Sequence, residues 1–535
     1  YDFVMNKSRA WKDPRTSDGD DDNGRFSKDY NDITNMTWSN ILTYQTKIKK
    51  KHNLDLLVGY EINSKESDGL GTTISNFARW DKPEVNNGVV YQSMGGSNST
   101  TRIVSYITRA NYDYDNKYYL GASWRTDGSS RLARENRWGN FWSLSGAWRV
   151  SSESFMKPLQ NWLSDLKLRV SYGVNGTLPS SYYGYMGLSS LTSNYNDNPG
   201  ITQSQLENKE LTWETNYNFN SGIDLGFFDN RLNITFEYYV RTTKNLLYSR
   251  PLSLATGFSS YLANIGKLQN KGYELEIRST NIETKDFRWS TSLNLGHNAN
   301  KILKLDGDLK QVTSGTSIHK VGLPYSTYYM IEFAGIDPVD GEPMFYKNTT
   351  DENGNLNKET TKDPRSAEKV ILQCADPTIT GGLGNSISYK WFDLNFNVNF
   401  SFGAWNYDGA AGKLEHGGDG TLNIPIYYRK RWQKEGDETS IERFVVGRSI
   451  SMTDYATTRR LYSGDYVRLK NLTFGFTLPK TWTRKVGIDN IRLYASGNNL
   501  LTWAAYDYID PESGSSPSWD TPPMRTYTFG LEVKF

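Results

Sequence analysis

The chain has 535 residues with 61 basic and 59 acidic side chains, a net charge of +2, so nothing in its bulk charge draws it to nucleic acid or to an anionic membrane surface. Hydrophobic residues are 37% and aromatics 14%, and the mean hydropathy is −0.66; that is too little aliphatic material for the three or four cores a soluble chain of this length needs at about 150 residues per domain. No apolar run reaches the ~20 residues of a transmembrane helix, and the single cysteine, Cys374, cannot form an internal disulfide.

Taken in chain order, the sequence alternates apolar and polar residues with a period of two, the period of a β-strand. The alternation predicts about sixteen strands, at roughly 1–9, 32–47, 53–63, 101–112, 117–126, 137–150, 165–174, 211–226, 231–247, 269–281, 286–300, 377–388, 391–406, 465–478, 488–501 and 525–535. Tyr118, Leu120, Ala122 and Trp124 alternate with Tyr119, Gly121, Ser123 and Arg125. Phe392, Leu394, Phe396, Val398, Phe400 and Phe402 alternate with Asp393, Asn395, Asn397, Asn399 and Ser401. In the last ten residues Tyr527, Phe529, Leu531, Val533 and Phe535 share one side, up to the terminal carboxylate. Charges on the second face would be costly in a dry core and are ordinary in a wet lumen. The fold class that follows is all-β: a transmembrane antiparallel β-barrel with aromatic girdles.

The connections alternate in length. Short ones are 48–52, 113–116, 151–164, 227–230, 282–285, 389–390 and 479–487; long ones are 10–31, 64–100, 127–136, 175–210, 248–268, 301–376, 407–464 and 502–524. With Phe535 at the periplasmic end, every short turn falls inside and every long loop outside, as in outer-membrane barrels. Any strands within 301–376 are then local rather than spanning. A helix is expected at Glu153 to Leu163, in an inside turn.

Chemical motifs are sparse. The four histidines (His52, His297, His319, His416) match no metal-ligand spacing, and Cys374 has no evident base. GGLGNS (381–386) has the glycines of a phosphate loop but no lysine and no following helix, so it reads as a bend or bulge in a strand. DGDDDNG (18–24) misses the calcium-loop pattern by one position, with Asn23 where Gly is required, and reads as a solvated acidic loop tip. DENGN (351–355) reads as a hairpin turn. Asp507 and Asp510 suggest a glycosidase pair but sit in the turn sequence DPESG, which favours a loop scaffold. No pattern calls for a cofactor or a metal, and the chain reads as a non-enzyme.

Residues 206–247 (LENKELTWETNYNFNSGIDLGFFDNRLNITFEYYVRTTKNLL) resemble a hairpin of SusC-like TonB-dependent transporters of Bacteroidetes outer membranes. WRTDGSSRLARENRWGNFWSLSGAWRVS (124–151), NIGKLQNKGYELEI (264–277), FAGIDPVDGEPMF (333–345), DYVRLKNLTFGFTLP (465–479) and LYASGNNLLTW (493–503) are similar to further signatures of that family, in family order. The resemblance implies a barrel of twenty-two strands preceded by a signal sequence, a β-sandwich, a TonB box and a plug. Residues 1–535 would then be the C-terminal barrel portion, opening on Tyr1 without Met or signal peptide; the last strand would close on a first strand that the chain lacks.

It further implies active import of an oligosaccharide or peptide across the outer membrane, driven by TonB of the TonB–ExbB–ExbD complex. A SusD-like surface lipoprotein would cover the substrate, and transporter–lipoprotein pairs could dimerise. Loops 64–100, 301–376 and 407–464 are the expected lipoprotein contacts. The alternatives are a passive porin of about sixteen strands and a surface adhesin or structural barrel. Sugar rings stack on Trp and Tyr, so the expected substrate contacts are Trp405 and Tyr407 at the end of one strand, and Trp503, Tyr506, Tyr508 and Trp519 around the final outer loop. Each of these taken alone also fits an interfacial girdle or loop packing.

Overall fold

The computed structural model describes residues 1–196, 198–305, 307, 309–351, 355–418, 423–447, 455–506, 508–513 and 522–535. Sixteen strands form one antiparallel sheet in sequence order: β1 (Asp2–Lys12), β2 (Arg25–Ile48), β3 (His52–Phe77), β4 (Gly88–Tyr114), β5 (Tyr118–Ser129), β6 (Trp138–Arg149), β7 (Leu163–Thr177), β8 (Glu214–Phe227), β9 (Leu232–Lys244), β10 (Lys267–Glu283), β11 (Phe287–Lys304), β12 (Ile379–Tyr389), β13 (Phe392–Phe402), β14 (Tyr466–Thr477), β15 (Asn490–Ala504) and β16 (Thr526–Lys534). Each matches one expected strand. Antiparallel neighbours in chain order put alternate connections at opposite ends, and the short ones fall together as expected. Several of these turns hold residues in the left-handed region, among them Lys49 and Lys50 (φ 49° and 62°), Asp115 and Asn116 (55° and 54°), and Phe228 to Asn230. Tight two- and three-residue turns between twisted strands require that conformation.

Cα-contact density divides the chain into two compact units: residues 1–147, 171–219 and 243–265, and residues 148–170, 220–242 and 266–535. In the first, β2, β3 and β4 run to 24, 26 and 27 residues, against the ~9–11 that cross a bilayer. An aromatic row crosses these strands, with ring centroids 6.1 Å apart for Trp38–Tyr60, 5.2 Å for Tyr60–Tyr106 and 6.2 Å for Tyr106–Trp138. A second row holds His52, Tyr114 and Tyr118 at 5.0 and 6.3 Å. From His52 to Tyr60 the strand rises roughly 26 Å along its own axis, or about 20 Å along the membrane normal at a barrel strand's tilt of about 40°, which fits within an apolar band of about 25 Å. Beyond Tyr60, β3 continues to Phe77.

The expected long loop 64–100 is therefore strand at both ends, with residues 78–87 between β3 and β4, and the expected loop 10–31 shrinks to 13–24. Outside the apolar band both strand faces meet water, so no apolar alternation marks the extension. Its tip is fixed by a small core of Phe26, Ile74 and Phe77 against Trp11 and Val85. Asp18 pairs with Lys12 at 2.8 Å and Asp22 with Arg25 at 2.6 Å in the acidic loop tip. A second core, with Leu132, Phe141, Val174, Leu211 and Trp213, gathers the connections after β5 and β7.

In the second unit the expected helix 153–163 is replaced by two 3-10 segments, Val150–Ser152 and Ser154–Leu159. Pro158 lies inside the latter and lacks the N–H of an α-turn, while Val150, Met156 and Leu163 pack beneath it. The glycine run 381–386 holds no bulge. The β12–β13 register is unbroken, and a Cβ on Gly381 would lie 2.5 Å from the Phe400 ring and 2.6 Å from the Asn294 carbonyl. The glycine makes room for an aromatic ring lying across the strand.

Residues 301–376 do carry local strands outside the main sheet. Residues 352–354 of the expected hairpin turn lie outside the described residues; flanking it, the Asp351 amide donates to the Asn355 carbonyl at 2.9 Å.

Candidate functional site

Around the outer ends of β13, β14 and β15, all in the second unit, the loops fold on one another. Gly403, at φ 83°, ends β13 where a Cβ would meet the Thr378 side chain at 2.4 Å. The chain then forms the short strand Trp405–Tyr407, which pairs with Leu461–Ser463, and a helical turn Gly409–Leu414 capped by Asp408, which accepts from the Ala411 amide at 2.7 Å.

Asp408 is buried, and its other oxygen accepts from the Tyr506 hydroxyl at 3.1 Å. Tyr506 stacks face to face on Tyr462, with centroids 3.7 Å apart and planes 20° apart. Tyr508 stands against both Tyr506 at 5.3 Å and Tyr427 at 5.2 Å. The Tyr427 hydroxyl donates to Glu415 at 2.5 Å, and that of Tyr428 donates to Glu442 at 2.9 Å.

Glu442 is fully buried and is joined to Arg459 at 2.5 Å; Arg460 donates to Glu415 at 3.3 Å. Burial pushes the phenols of Tyr427, Tyr428, Tyr462 and Tyr506 well above the ordinary tyrosine value, and the neighbouring carboxylates add to it. Burial opposes the charge on Arg459, but Glu442 and Glu415 outweigh it and keep the guanidinium charged. Buried carboxylates are tolerated here because each is hydrogen-bonded and faces an arginine or a phenol.

The final outer loop is tied to the rim by Arg468, only 2% exposed, which forks onto Asp510 and Glu512 at 2.7 Å each and donates to Thr502 at 3.0 Å. This is bidentate-type anchoring of a loop by a buried guanidinium. Asp510 thus acts as a scaffold carboxylate; Asp507 lies outside the described residues. Between the rim and this loop lies a cavity of about 330 Å³ lined by Tyr506, Tyr508, Asn499, Arg525 and prolines. A wider recess of about 710 Å³ follows the polar face of β9 to β13, lined by Glu237, Glu274, Glu276, Asn294, Asn399 and Ser401.

Of the expected contact residues, the structure brings Tyr506 and Tyr508 together. Trp405 and Tyr407 are half-buried on the short strand that pairs beside Tyr462. Trp503 is 60% exposed and sits opposite Val467, on the apolar face that also carries Leu501, away from the cluster. Trp519 lies outside the described residues. Tyr427, Tyr462, Asp408 and Glu442 were not anticipated: their partners lie 12 to 98 positions away, and no local spacing announces such pairs.

The chain is similar to known proteins over nearly its whole length. Residues 2–500 match the family described as TonB dependent receptor-like, beta-barrel. TonB-dependent receptor P3 of Formosa agariphila is 33% identical over 553 residues, covering 96% of this chain and 53% of that protein. TonB-dependent receptor SusC of Bacteroides thetaiotaomicron is 30% identical over 461 residues, covering 81% of this chain and 44% of that protein. Among solved structures, that of the RagAB peptide transporter superposes with a TM-score of 0.86 at 28% identity, covering 100% of this chain and 59% of that one. The chain spans about half the length of the curated relatives it matches.

Proposed function

Because the chain belongs to the TonB dependent receptor-like β-barrel family and is thereby an outer-membrane protein, we propose that it serves TonB-dependent active import of an oligosaccharide or peptide. In this reading the 535 residues supply barrel wall and outer loops. The plug and the TonB-contacting segment belong to the remainder of a protein of the relatives' length. A SusD-like surface lipoprotein closes over the substrate on the outer loops, and two transporter–lipoprotein pairs associate. The protein transports and does no covalent chemistry.

The observation that carries the reading is the superposition of the entire chain on the RagAB peptide transporter, supported by 30% identity to SusC. Growth of a deletion strain on panels of glycans and peptides tests it. Loss of growth on one cargo, reproduced by deleting TonB, is the expected result. Wild-type growth on every cargo would overturn the import reading in favour of an adhesin or structural barrel.

A further inference from the structure

We propose that the periplasmic rim of β11 to β15 holds anionic phospholipid headgroups of the inner leaflet, with Lys390, Arg484 and Lys485 contacting phosphate and Trp391 and Trp482 set in the interface. This role needs only the outer-membrane location and the orientation given by loop length, whatever the cargo.

Three connections meet at this rim. Residues 284–286 join β10 to β11, and Lys390 and Trp391 join β12 to β13. Between β14 and β15 a helical turn, Lys480–Thr483, runs on into the 3-10 turn Arg484–Val486. They are tied together through the backbone: the Lys390 amide donates to the Asp286 carbonyl, and the Thr477 amide to the Trp391 carbonyl, each at 2.7 Å. Their side chains therefore form one surface, not three separate tips.

That surface is basic. Lys480 is offset by Asp489 at 3.3 Å, and Arg288 by Glu283 at 3.7 Å. Lys285, Lys390, Arg484 and Lys485 are all exposed, and none is in an ion pair of the described residues. Only Asp286 stands against these four, which leaves an excess of three positive charges. The whole chain carries only +2 over 535 residues, and residues 505–525 at the opposite end hold four acids and one base. The excess belongs to this rim, and such a cluster attracts an anionic surface within a Debye length.

The aromatic residues among the cations select a lipid surface over a hydrated polymer. Tyr389 and Trp391 flank Lys390 and are 50% and 45% exposed, and Trp482 lies between Lys480 and Arg484 at 59%. Indole and phenol rings settle at headgroup level, where one part of the ring meets hydrocarbon and the other water; a polyanion in the periplasm would leave them in water. The rim also continues the lipid-facing wall without a gap. Phe287 and Tyr389 stand 6.5 Å apart, and Phe392 and Phe476 stack at 4.9 Å, within two residues of Lys390. Lysine stems can lie along that apolar edge with the ammonium among the phosphates, while the Arg484 guanidinium offers a fork that fits two phosphate oxygens.

The test uses the full-length transporter in phosphatidylcholine bilayers. Nitroxide-labelled phosphatidylglycerol or phosphatidylcholine is the probe, and electron spin resonance measures the label held at the protein surface. Phosphatidylglycerol should be preferred about threefold at low salt, falling towards equality at about 0.5 M salt. Lys390→Gln/Arg484→Gln/Lys485→Gln should bring the ratio below about 1.5, and Trp482→Ala should about halve it. Removing as many charges from the outer loops, in Lys320→Gln/Lys369→Gln/Lys434→Gln, should leave it unchanged.

Equal retention of the two labels by the unaltered protein, a preference indifferent to salt, or a preference that survives in the rim variant overturns the proposal. The salt series needs no variant to assemble. Co-sedimentation with purified peptidoglycan sacculi, lost in a rim variant whose lipid preference stands, would assign the cations to that polymer instead.

Discussion

Single residues carry testable consequences at the outer rim. Arg459 faces Glu442, which has no access to water. Arg459→Met leaves that buried charge without a counter-ion, held only by the Tyr428 hydroxyl, and should cost about 3–5 kcal/mol, read as faster amide exchange over residues 427–445, with Arg459→Lys recovering part of the loss. His319 stacks on Tyr325 at 4.1 Å, and burial lowers its pKa from the ordinary value near 6.5. The unfolded chain therefore takes up the proton more readily, so this contribution is complete above pH 6.5 and is lost as pH falls below it. Exchange protection of residues 311–331 should drop between pH 7.5 and pH 5, and His319→Gln should flatten that dependence. Sequence alone singled out Tyr506 and Tyr508 because exposed loop aromatics are chemically conspicuous. It was silent on Asp408 and Glu442, since a carboxylate fixed by a phenol far along the chain looks like any other loop acid.

At the scale of elements, strand alternation was legible wherever one face meets lipid and the other water. It failed in the upper halves of β2, β3 and β4, where that contrast is missing, and at Pro158, which turns a helical pattern into 3-10 segments. Two experiments follow. Gly381→Val drives a branched side chain into the Phe400 ring and should destabilise the sheet by about 1–3 kcal/mol, seen as a lower temperature for loss of the compact form on gels. In a Cys374→Ala background, cysteine at Met94, which is 78% exposed, should react with a membrane-impermeant maleimide on intact cells. Cysteine at Asn116 or Lys390, in the short turns, should not. Labelling at all three positions would break the orientation derived from loop length.

At the scale of the molecule, the sixteen-strand order was readable because each strand pairs with its neighbour in sequence; contacts among the outer loops were not. Full-length protein in a planar bilayer should show no large stable conductance, and a porin-like current would instead favour passive diffusion. The loops after β11 and β13 were both expected to contact the lipoprotein, with nothing in the sequence to say whether they touch each other. They prove to be joined: Ile331 bridges Thr457, Phe333 donates its amide to Thr458 at 3.0 Å, Trp432 donates to the Pro338 carbonyl at 3.0 Å, and Arg443 pairs with Glu342 at 2.7 Å. Anyone building chimaeras between relatives should therefore graft 301–376 and 404–464 as a pair. A graft of either alone strands half of each bond with a foreign counterpart, and its loss of uptake would say nothing about cargo preference.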